Sequence, residues 1–371
     1  MYVRFELPLE IATAIERCAG PSLVFDLARI DANLAAIAAA AREAGVTALF
    51  AAKSFPHPAV WALAAARLAG FDVASPGEVA GAAAIAPAGE RMLSVADPSG
   101  RAIAAAGGWR GRLVVSCETV AQVHAAPPHA EIAIRLSASL TGLDPAVGAV
   151  LEGSGHRRSR FGIDVDPPRM REAIGELARA AHPRPVGLHV HHGPVAATSG
   201  ERFVATARAV LAAAAAAGVE PRFVDLGGAW HAIADLPRAL RAIRAVLPPP
   251  LEILIEPGRL VADGAGFACG PIAVARELDD RTLCVVALSR ICHLRWSQPE
   301  LVARPARTGA GRTTLFVGPT CYEEDVLGEW TVEPAQFPAG GRTILRNITG
   351  YALAWNIGFA GIAPADLVMI G

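Results

Sequence analysis

Short hydrophobic runs alternate with longer amphipathic or alanine-rich segments through the first two thirds of the chain. The hydrophobic runs predict eight β-strands: ALFAAK (48–53), FDVAS (71–75), RMLSVAD (91–97), RLVVSC (112–117), EIAIRLS (131–137), VGLHVHH (186–192), RFVDLGG (222–228) and LEILIEPG (251–258). The segments between them predict helices, among them 58–68, 77–86, 168–181 and 202–217. Because each crossover helix returns the chain in the same direction, the alternation predicts a parallel sheet.

Eight such units are the number that closes a (β/α)8 barrel, and an open doubly wound sheet is the alternative. The alternation of strands and helices alone does not distinguish these two architectures. An earlier run, SLVFDL (22–27), precedes a helical segment at 31–44 and lies outside the barrel count. The Gly- and Arg-rich segment 138–160 predicts a loop.

The alternation of strands and helices stops after about residue 262, where β-branched residues, glycine and proline become frequent. Segments such as RTLCVVALSRICHL and TTLFVGPTC predict a second, all-β domain. We therefore predict an α/β domain at 22–262 and a β-domain at 263–371, joined by an N-terminal strand within 1–21.

Composition excludes several classes of function. The 371 residues are 53% hydrophobic and 19% charged with a net charge of −1, which argues against a nucleic-acid partner. No apolar run reaches the roughly 20 residues that span a membrane, and the first residues lack a signal-peptide core. The six cysteines have no metal-ligand spacing, so we predict reduced thiols, no metal site and a cytoplasmic protein.

Residues with reactive side chains fall at the ends of the predicted strands. Lys53 closes the first strand, His189 and His191 lie near the end of the sixth, and Glu256 closes the eighth. Taken singly, each has an ordinary structural explanation, because a lysine at a strand end usually reaches solvent and a histidine in an apolar strand is usually a core residue. In a parallel barrel, however, the carboxyl ends of all strands share the face that carries the active site, so these side chains are expected to converge.

Eight motifs resemble, in order, those of the fold-type III pyridoxal-phosphate (PLP) enzymes, specifically the ornithine/diaminopimelate decarboxylase group. They are FAAKSF, GFDVASPGEV, RSRFGI, GLHVHHGP, VDLGGAW, IEPGRLV, VGPTCYEED and TGYALAWNIGFAG, which span residues 50 to 361. The resemblance implies a PLP-binding (β/α)8 TIM barrel with a C-terminal β-domain, the alanine racemase-like fold. It also implies a decarboxylase that removes the α-carboxylate of an amino acid.

The resemblance assigns the cofactor contacts. Lys53 would carry PLP as a Schiff base, and its place in an apolar barrel mouth would lower the pKa of the amine and so make it nucleophilic. Glu256 would face the pyridine nitrogen and keep it protonated, which strengthens the ring as an electron sink. The other implied cofactor contacts are Asp72, His191 (stacked on the ring), Gly227, Gly228, Arg259 and Tyr351.

Glu256 also bears on the type of reaction. Alanine racemases of the same fold have arginine at this place, which weakens the electron sink. Glutamate therefore favours decarboxylation, and a racemase or epimerase on the same scaffold is the alternative. Two further alternatives fit less well: single-barrel PLP-binding homeostasis proteins lack a β-domain, and a metal-assisted aldolase would need a histidine near the C-terminus, whereas none follows His293.

The resemblance places the substrate contacts in the β-domain. Cys321 and Asp325 match residues that family dimers deliver across their interface, so a homodimer with shared active sites is implied. Cysteine there would steer protonation of the product at Cα, and the aspartate would contact the distal end of the substrate. Tyr322 and Arg295 are the other predicted substrate contacts, and His293 and Arg304 are nearby bases that a solvent-exposed loop would explain equally well.

Several positions depart from the family pattern. Pro194 replaces the usual phosphate-binding serine, Ala229 replaces a third glycine, Tyr322 replaces an aspartate, and an FNG segment reads FAG at 359–361. We hypothesise that His192 supplies the donor that Pro194 cannot. An atypical member is therefore predicted, whose substrate is a basic amino acid, a diaminopimelate-like amino acid, or an intermediate of siderophore or secondary metabolism.

Overall fold

The computed structural model describes residues 6–86, 91–137, 160–163, 167–191, 200–304 and 306–371. The chain divides into two units. The barrel unit comprises Leu34–Lys53 and His57–Val261, and the sheet unit comprises Met1–Asn33, Ser54–Pro56 and Ala262–Gly371.

The barrel unit contains a closed barrel of eight parallel strands, and this confirms the barrel over the open sheet. Each predicted run corresponds to one barrel strand in the predicted order. The strands are β2 Thr47–Ala51, β3 Gly70–Val73, β4 Met92–Val95, β5 Leu113–Cys117, β6 Glu131–Leu136, β7 Val186–Val190, β8 Phe223–Asp225 and β9 Glu252–Ile255.

Helices connect the barrel strands, and several start at side-chain caps. Ser75 accepts a hydrogen bond from the Glu78 N–H, and Thr119 forms a reciprocal capping box with Gln122. The helices are α2 Leu27–Ala44, α3 Pro58–Arg67, α4 Pro76–Ile85, α5 Arg101–Ala105, α6 Val120–Ala125, α7 Pro167–Ala181, α8 Glu201–Ala216 and α9 Leu236–Val246. Short 3-10 turns lie at Ala52–Ser54, Ala106–Gly108, Trp230–Ala232 and Arg259–Ala262.

Two layers of side chains with different chemistry occupy neighbouring levels of the barrel. Because successive side chains of a strand point to opposite faces, every second residue faces inward. The lower layer is an apolar cluster of Leu49, Met92, Val114, Ala133, Phe223 and Leu254. Two residues further along their strands lie the members of the polar layer, Ser94, Ser116, Arg135, Asp225 and Glu256, together with Asp72 and His189 from the equivalent level of β3 and β7.

The sheet unit is built around a mixed sheet. Its elements are α1 Leu9–Arg17, β1 Ser22–Asp26, β10 Gly266–Glu277, β11 Thr282–Val286, β12 Glu300–Leu301, β13 Arg312–Val317, β14 Val326–Val332, a 3-10 turn Pro334–Gln336, β15 Arg342–Arg346, α10 Tyr351–Ala354 and β16 Asp366–Ile370. β10 pairs with both β11 and β15, and β1 pairs with β10 and β16.

The N-terminal segment differs from the predicted strand. Its described part forms the helix Leu9–Arg17, which starts after Pro8 and buries Ile11 and Ile15. Their spacing of four residues places both on one helix face, where they pack in a cluster with Val24 and Phe267. Residues 1–5 of the predicted N-terminal strand lie outside the described residues.

The first strand also changes the division of the chain. β1 pairs with strands of the second sheet on both of its sides, so it groups with the sheet unit, whereas the predicted boundary placed 22–33 with the barrel. The predicted loop at 138–160, apart from its last residue, and both Pro194 and His192 lie outside the described residues. Among the helices that the structure describes, none is both long and apolar enough to cross a membrane.

Candidate active site

Lys53 lies in the 3-10 turn that directly follows β2, and its Nζ forms an ion pair with Asp72 Oδ2. The lysine side chain is 33% exposed, whereas that of Asp72 is fully buried. Lys53 is the single lysine of the chain; all the other strongly basic side chains are arginines. A lysine amine can lose its proton and attack a carbonyl, whereas a guanidinium stays charged, so position 53 carries the chain's one nucleophilic side-chain amine.

Three buried acids surround this position. Burial, followed by the charges of Asp225 and Asp72, raises the pKa of Glu256 well above its usual range. Burial also raises the pKa of Asp225 to about 6, although the Gly227 N–H partly offsets this by bonding its Oδ1 at 2.9 Å. Glu256 Oε1 and Asp225 Oδ2 are buried and accept from no donor in the described part of the chain, while a hydrogen bond between the two carboxyl groups lowers the pKa of Asp225. Burial therefore favours a protonated form of this pair.

His189 lies beside the acids and is neutral. Burial, with help from the charge of Arg135, lowers the pKa of its imidazole well below the usual value. Its Nδ1 lies 2.5 Å from Ser116 Oγ, and its Nε2 lies 4.0 Å from Glu256 Oε1. Ser116 thus holds the ring so that the second nitrogen points toward the acid cluster.

Two glycines bring the backbone close to His191. Gly227 adopts φ +63°, and a Cβ there would lie 2.9 Å from His191 Cα. A Cβ on Gly228 would lie 3.0 Å from His191 Nε2. The Gly227 N–H already donates a hydrogen bond to Asp225. The described residues provide no acceptor for the Gly228 N–H. Arg259 is partly buried at the start of the 3-10 turn after β9.

The remaining predicted site residues belong to the sheet unit. Cys321 is exposed, and Tyr322 is 50% exposed and contacts Phe359, with ring centroids 5.2 Å apart. Tyr351 begins α10 and meets Trp296 edge to face. Arg295 is exposed and lies over the ring of Trp355, at 4.4 Å from its centroid.

Asp325 and His293 are anchored within the sheet unit. Asp325 is 2% exposed and accepts hydrogen bonds from Ser289 Oγ at 3.0 Å, Arg290 N at 2.6 Å and Thr320 Oγ1 at 2.7 Å. His293 is fully buried; its Nδ1 accepts from the Ser289 N–H and its Nε2 meets the Ala363 carbonyl. His293 is therefore a core residue, which neither interpretation of this segment, a pocket base or a solvent-exposed loop, predicted.

Five members of the polar layer were not predicted. Ser94, Ser116, Arg135 and Asp225 were not proposed as site residues, and His189 was noted only as sharing a face with His191. The available signal was the two-residue period, since each of the first four lies two residues after an apolar residue of the lower layer on its own strand.

These residues fit the cofactor that the motifs imply. A glycine turn without room for side chains, an amine at the barrel mouth and a buried carboxyl oxygen without a partner match the phosphate, the aldehyde and the ring nitrogen of PLP. Lys53, His191, Gly228, Glu256 and Arg259 are the residues of the barrel unit that would hold these three groups.

Comparison with known proteins supports the same cofactor. The family described as "Pyridoxal-dependent decarboxylase, pyridoxal binding domain" matches residues 27–263. A diaminopimelate decarboxylase of Actinosynnema pretiosum subsp. auranticum is 29% identical over 374 aligned positions, which cover 93% of this chain and 83% of that relative.

Two solved structures share the fold. The arginine decarboxylase of Paramecium bursaria Chlorella virus superposes with a TM-score of 0.79 at 16% identity, covering 97% of this chain and 98% of that one. The lysine/ornithine decarboxylase of Vibrio vulnificus in complex with putrescine gives 0.76 at 18% identity, covering 97% of both chains.

The chain belongs to the family of pyridoxal-dependent decarboxylases. It is a lyase that acts on amino acids with PLP as its cofactor, and this confirms the predicted family, fold, enzyme class and cofactor.

Proposed function

We propose that this enzyme removes the α-carboxylate of an amino acid and that Lys53 attaches the cofactor through its amine. The observation that carries the proposal is the position of the single lysine, paired with buried Asp72 at the end of β2. When bound, PLP supplies an aldehyde for amines and a ring that withdraws electrons from the bond being broken.

Glu256 and its neighbours determine which groups of the site are protonated. Burial raises the pKa of Glu256 and favours its protonated form, so this carboxyl group would supply a proton to the pyridine nitrogen and keep that nitrogen protonated. Asp225 and the neutral His189 surround Glu256 and exclude water from it. Since racemases of this fold tolerate a weaker electron sink, a buried acid at this position supports decarboxylation.

Binding and orientation fall to the rim of the barrel. His191 lies against the glycine turn and would stack on the cofactor ring, while Gly228 and Arg259 would hold the phosphate with an N–H donor and a guanidinium fork. Asp72 pairs with Lys53 and positions its amine. Gly227 and Tyr351 remain predicted phosphate contacts.

The sheet unit supplies the substrate contacts in this proposal. The exposed thiol of Cys321 delivers the proton to Cα, and Tyr322 and Arg295 contact the substrate. Asp325 remains a predicted substrate contact, although its hydrogen bonds also support a role in holding the loop around Cys321. The substrate class includes diaminopimelate and other basic amino acids, as in the relatives.

The active form is a homodimer with shared sites, and the location is cytoplasmic. Cys321, Trp296 at 47% exposure and Ile357 at 42% exposure offer a surface that a second copy would cover. The absence of any disulfide among the six cysteines supports a reducing compartment.

Borohydride reduction of the holoenzyme tests the attachment site, because it fixes the cofactor to whichever amine holds it. With one lysine in the chain, mass spectrometry has to separate only Lys53 from the N-terminal amine. We expect the label on Lys53, and we expect Lys53→Ala to lose the visible absorption and to lower CO2 release by roughly 10⁴-fold or more. Lys53→Arg is the matched control, since it keeps the positive charge beside Asp72 without a nucleophilic amine. Label confined to the N-terminus would refute the assignment.

Mixing two inactive variants tests the shared site. A mixture of Lys53→Ala and Cys321→Ala proteins that exchange subunits forms mixed dimers in which one site has both native residues. About a quarter of all sites should then be intact. A mixture that forms amine product no faster than the mean of its two parents would contradict sharing. Comparing CO2 release with loss of optical activity distinguishes decarboxylation from racemisation.

A further inference from the structure

Three buried residues of the barrel unit bring potential metal ligands together. His189, Asp225 and Glu256 each offer one ligand atom, and these three atoms lie within 4.8 Å of one another. His189 lies in β7 and Asp225 in β8, while Glu256 directly follows β9, so three neighbouring strands contribute one residue each. Each residue is at most 2% exposed. We refer to these three residues as the buried triad.

The parallel register of the barrel explains why the triad meets. His189 pairs directly with Asp225 across β7 and β8, and Asp225 pairs with Leu254 across β8 and β9. Glu256 lies two residues after Leu254, so both side chains point to the same face of the strand. The Glu256 N–H donates to the Gly227 carbonyl at 2.8 Å and continues this pairing beyond the end of β9. Backbone hydrogen bonds of the barrel therefore fix the position of the triad.

One polar atom of each triad member is buried without a hydrogen-bond partner among the described residues. These atoms are Nε2 of His189, Oδ2 of Asp225 and Oε1 of Glu256. Nε2 and Oε1 lie 4.0 Å apart, which is too far for a hydrogen bond between them. Because such atoms lower the stability of a fold, three of them in one place point to a ligand that all three share. A cation suits this place, since it accepts electron pairs from a nitrogen and two oxygens at once.

Neighbouring groups hold two of the triad side chains in orientations that suit a metal. Ser116 Oγ lies 2.5 Å from His189 Nδ1, and the Gly227 N–H donates to Asp225 Oδ1 at 2.9 Å. When Nδ1 donates a hydrogen bond to Ser116 Oγ, Nε2 keeps the lone pair that a metal requires. The bond from Gly227 likewise leaves Oδ2 as the oxygen of Asp225 that is available to a ligand. Outer hydrogen bonds of this kind are a regular feature of metal sites in proteins.

The charges around the triad favour a dication. Two bases, Lys53 and Arg135, influence the charge of the triad, but each has an acid of its own. Lys53 forms its ion pair with Asp72, and Arg135 Nε lies 3.9 Å from Glu118 Oε1. In the described part of the chain, no lysine or arginine forms an ion pair with either carboxylate of the triad. When both carboxylates are ionised, a metal dication balances their two charges.

The donor set selects the class of metal. One imidazole nitrogen and two carboxylate oxygens suit divalent transition metals such as zinc, whereas Mg²⁺ and Ca²⁺ prefer about six or more oxygens. Zinc binds nitrogen and oxygen ligands at about 2.0–2.2 Å, so neighbouring ligand atoms of a tetrahedral site are about 3.4 Å apart. The 4.0 Å between His189 Nε2 and Glu256 Oε1 is within a small side-chain shift of this spacing. Three protein ligands leave a fourth position for water, as in catalytic zinc sites.

We propose that the cofactor-free enzyme binds a divalent transition-metal ion through His189, Asp225 and Glu256, and that this ion and PLP exclude one another. The metal site rests on the geometry of the triad alone, and it uses none of the six cysteines whose spacing led us to predict no metal site. The exclusion rests on the proposed function, in which Glu256 faces the pyridine nitrogen and so cannot ligate a metal at the same time. Metal supply would then regulate how much of the enzyme carries its cofactor.

Calorimetric titration of Zn²⁺ into the cofactor-free protein tests the site directly. The exposed thiol of Cys321 can also bind zinc, so every protein in the series carries Cys321→Ser. We expect His189→Gln to weaken zinc binding by about 100-fold or more, since loss of an outer partner alone costs about 10- to 100-fold. Ser94→Ala is the matched control, because Ser94 is buried in the same polar layer but lies outside the triad, and it should leave the affinity unchanged. Zinc affinity unchanged by His189→Gln would show adventitious surface sites only and would overturn the proposal.

Two further measurements guard against a folding artefact. Asp225→Asn should weaken zinc binding by a similar factor, although its amide can still accept the Gly227 N–H and keep the fold. Saturating zinc should therefore raise the urea midpoint of the parent protein but not that of Asp225→Asn, and equal stabilisation of both would contradict the assignment. Co²⁺ in place of zinc should give visible bands without thiolate charge transfer. A thiolate band would place the metal on cysteines and overturn the proposal.

Competition with PLP tests the exclusion. Visible absorption records PLP binding to the cofactor-free protein at increasing zinc concentration. Above saturation of the triad, the apparent Kd for PLP should rise about tenfold for each tenfold rise in zinc. Asp225→Asn should show no such rise, and this control separates competition at the triad from zinc that binds free PLP. Mg²⁺ should have no effect on the parent protein.

The two parts of the proposal fail in different ways. If zinc binding depends on His189 but PLP binding does not respond to zinc, the exclusion and the position of Glu256 at the ring nitrogen are overturned, while the metal site stands. If zinc does not bind but Lys53 still takes up PLP, the metal site is overturned and the proposed function stands.

Discussion

Two neighbouring layers inside the barrel have opposite chemistry, although only two residues of each strand, about 6.6 Å, separate them. The lower layer, from Leu49 to Leu254, is an apolar cluster. In the described part of the chain, the polar layer above it contains five buried side-chain atoms without hydrogen-bond partners, on Asp72, Ser94, His189, Asp225 and Glu256.

The two layers have different roles, since the lower layer serves packing and the polar layer serves function. Buried apolar side chains stabilise the barrel, whereas each buried polar atom without a partner lowers the stability of the fold by about 1–3 kcal/mol. A protein keeps such a layer only where its chemistry is needed, and this layer is the one that meets the single lysine. The lower layer should therefore govern stability and the polar layer turnover.

The strongest test of this division is Glu256→Gln, in the polar layer. Because burial already favours the protonated form of Glu256, the neutral amide should fit without loss of stability. CO2 release should fall by about 10²- to 10³-fold, since an amide cannot share a proton with the ring nitrogen. Visible absorption of the bound cofactor should persist. An unchanged rate would contradict the role of this carboxyl group.

The matched test in the lower layer is Leu254→Ala, two residues earlier on the same strand. Leu254 is fully buried, so its truncation should lower the free energy of unfolding in urea by about 3 kcal/mol. Turnover per folded molecule should stay within about threefold of the wild type. A loss of turnover as large as that of Glu256→Gln, without loss of stability, would break the comparison.

The Asp225→Asn variant tests how the loss of stability caused by the polar layer depends on pH. Because the pKa of Asp225 in the fold lies near 6, above its ordinary value of 3.8, its contribution to stability is present below pH 4 and is lost as the pH rises through about 6. The amide can still accept the Gly227 N–H. In cofactor-free protein, urea unfolding should therefore show the variant gaining stability over the wild type across this window, by at most roughly 3 kcal/mol. A gap that does not change with pH would contradict the raised pKa.

The smallest expected effect compares two serines of the polar layer. Ser116 bonds His189, whereas Ser94 Oγ has no partner among the described residues. Ser116→Ala should lower kcat/KM by about fivefold, the value of one modest hydrogen bond, because the imidazole loses its support. Ser94→Ala should leave activity unchanged and stability equal or slightly higher. The reverse order would show that the ring needs no support from Ser116.

Sequence reasoning succeeded where period and position are local properties. The eight runs became the eight barrel strands, whereas the roles of Lys53, His191 and Glu256, inferred from their places at strand ends, stay predictions. The N-terminal segment 1–21, predicted as a strand, instead contains the helix Leu9–Arg17, because Ile11 and Ile15, four residues apart, are buried on one helix face. His293 looked like a pocket base until its two ring nitrogens proved to be bonded within the core.

The sequence by itself determined the strands, the side of each strand that carries reactive groups, and the chemistry that one lysine permits, because these depend on residue type and on a two-residue period. Only the tertiary structure decided which groups share a layer. Ser116, His189, Asp225 and Glu256 come from four strands, and their burial shifts the pKa values because closure of the barrel removes water from all of them at once.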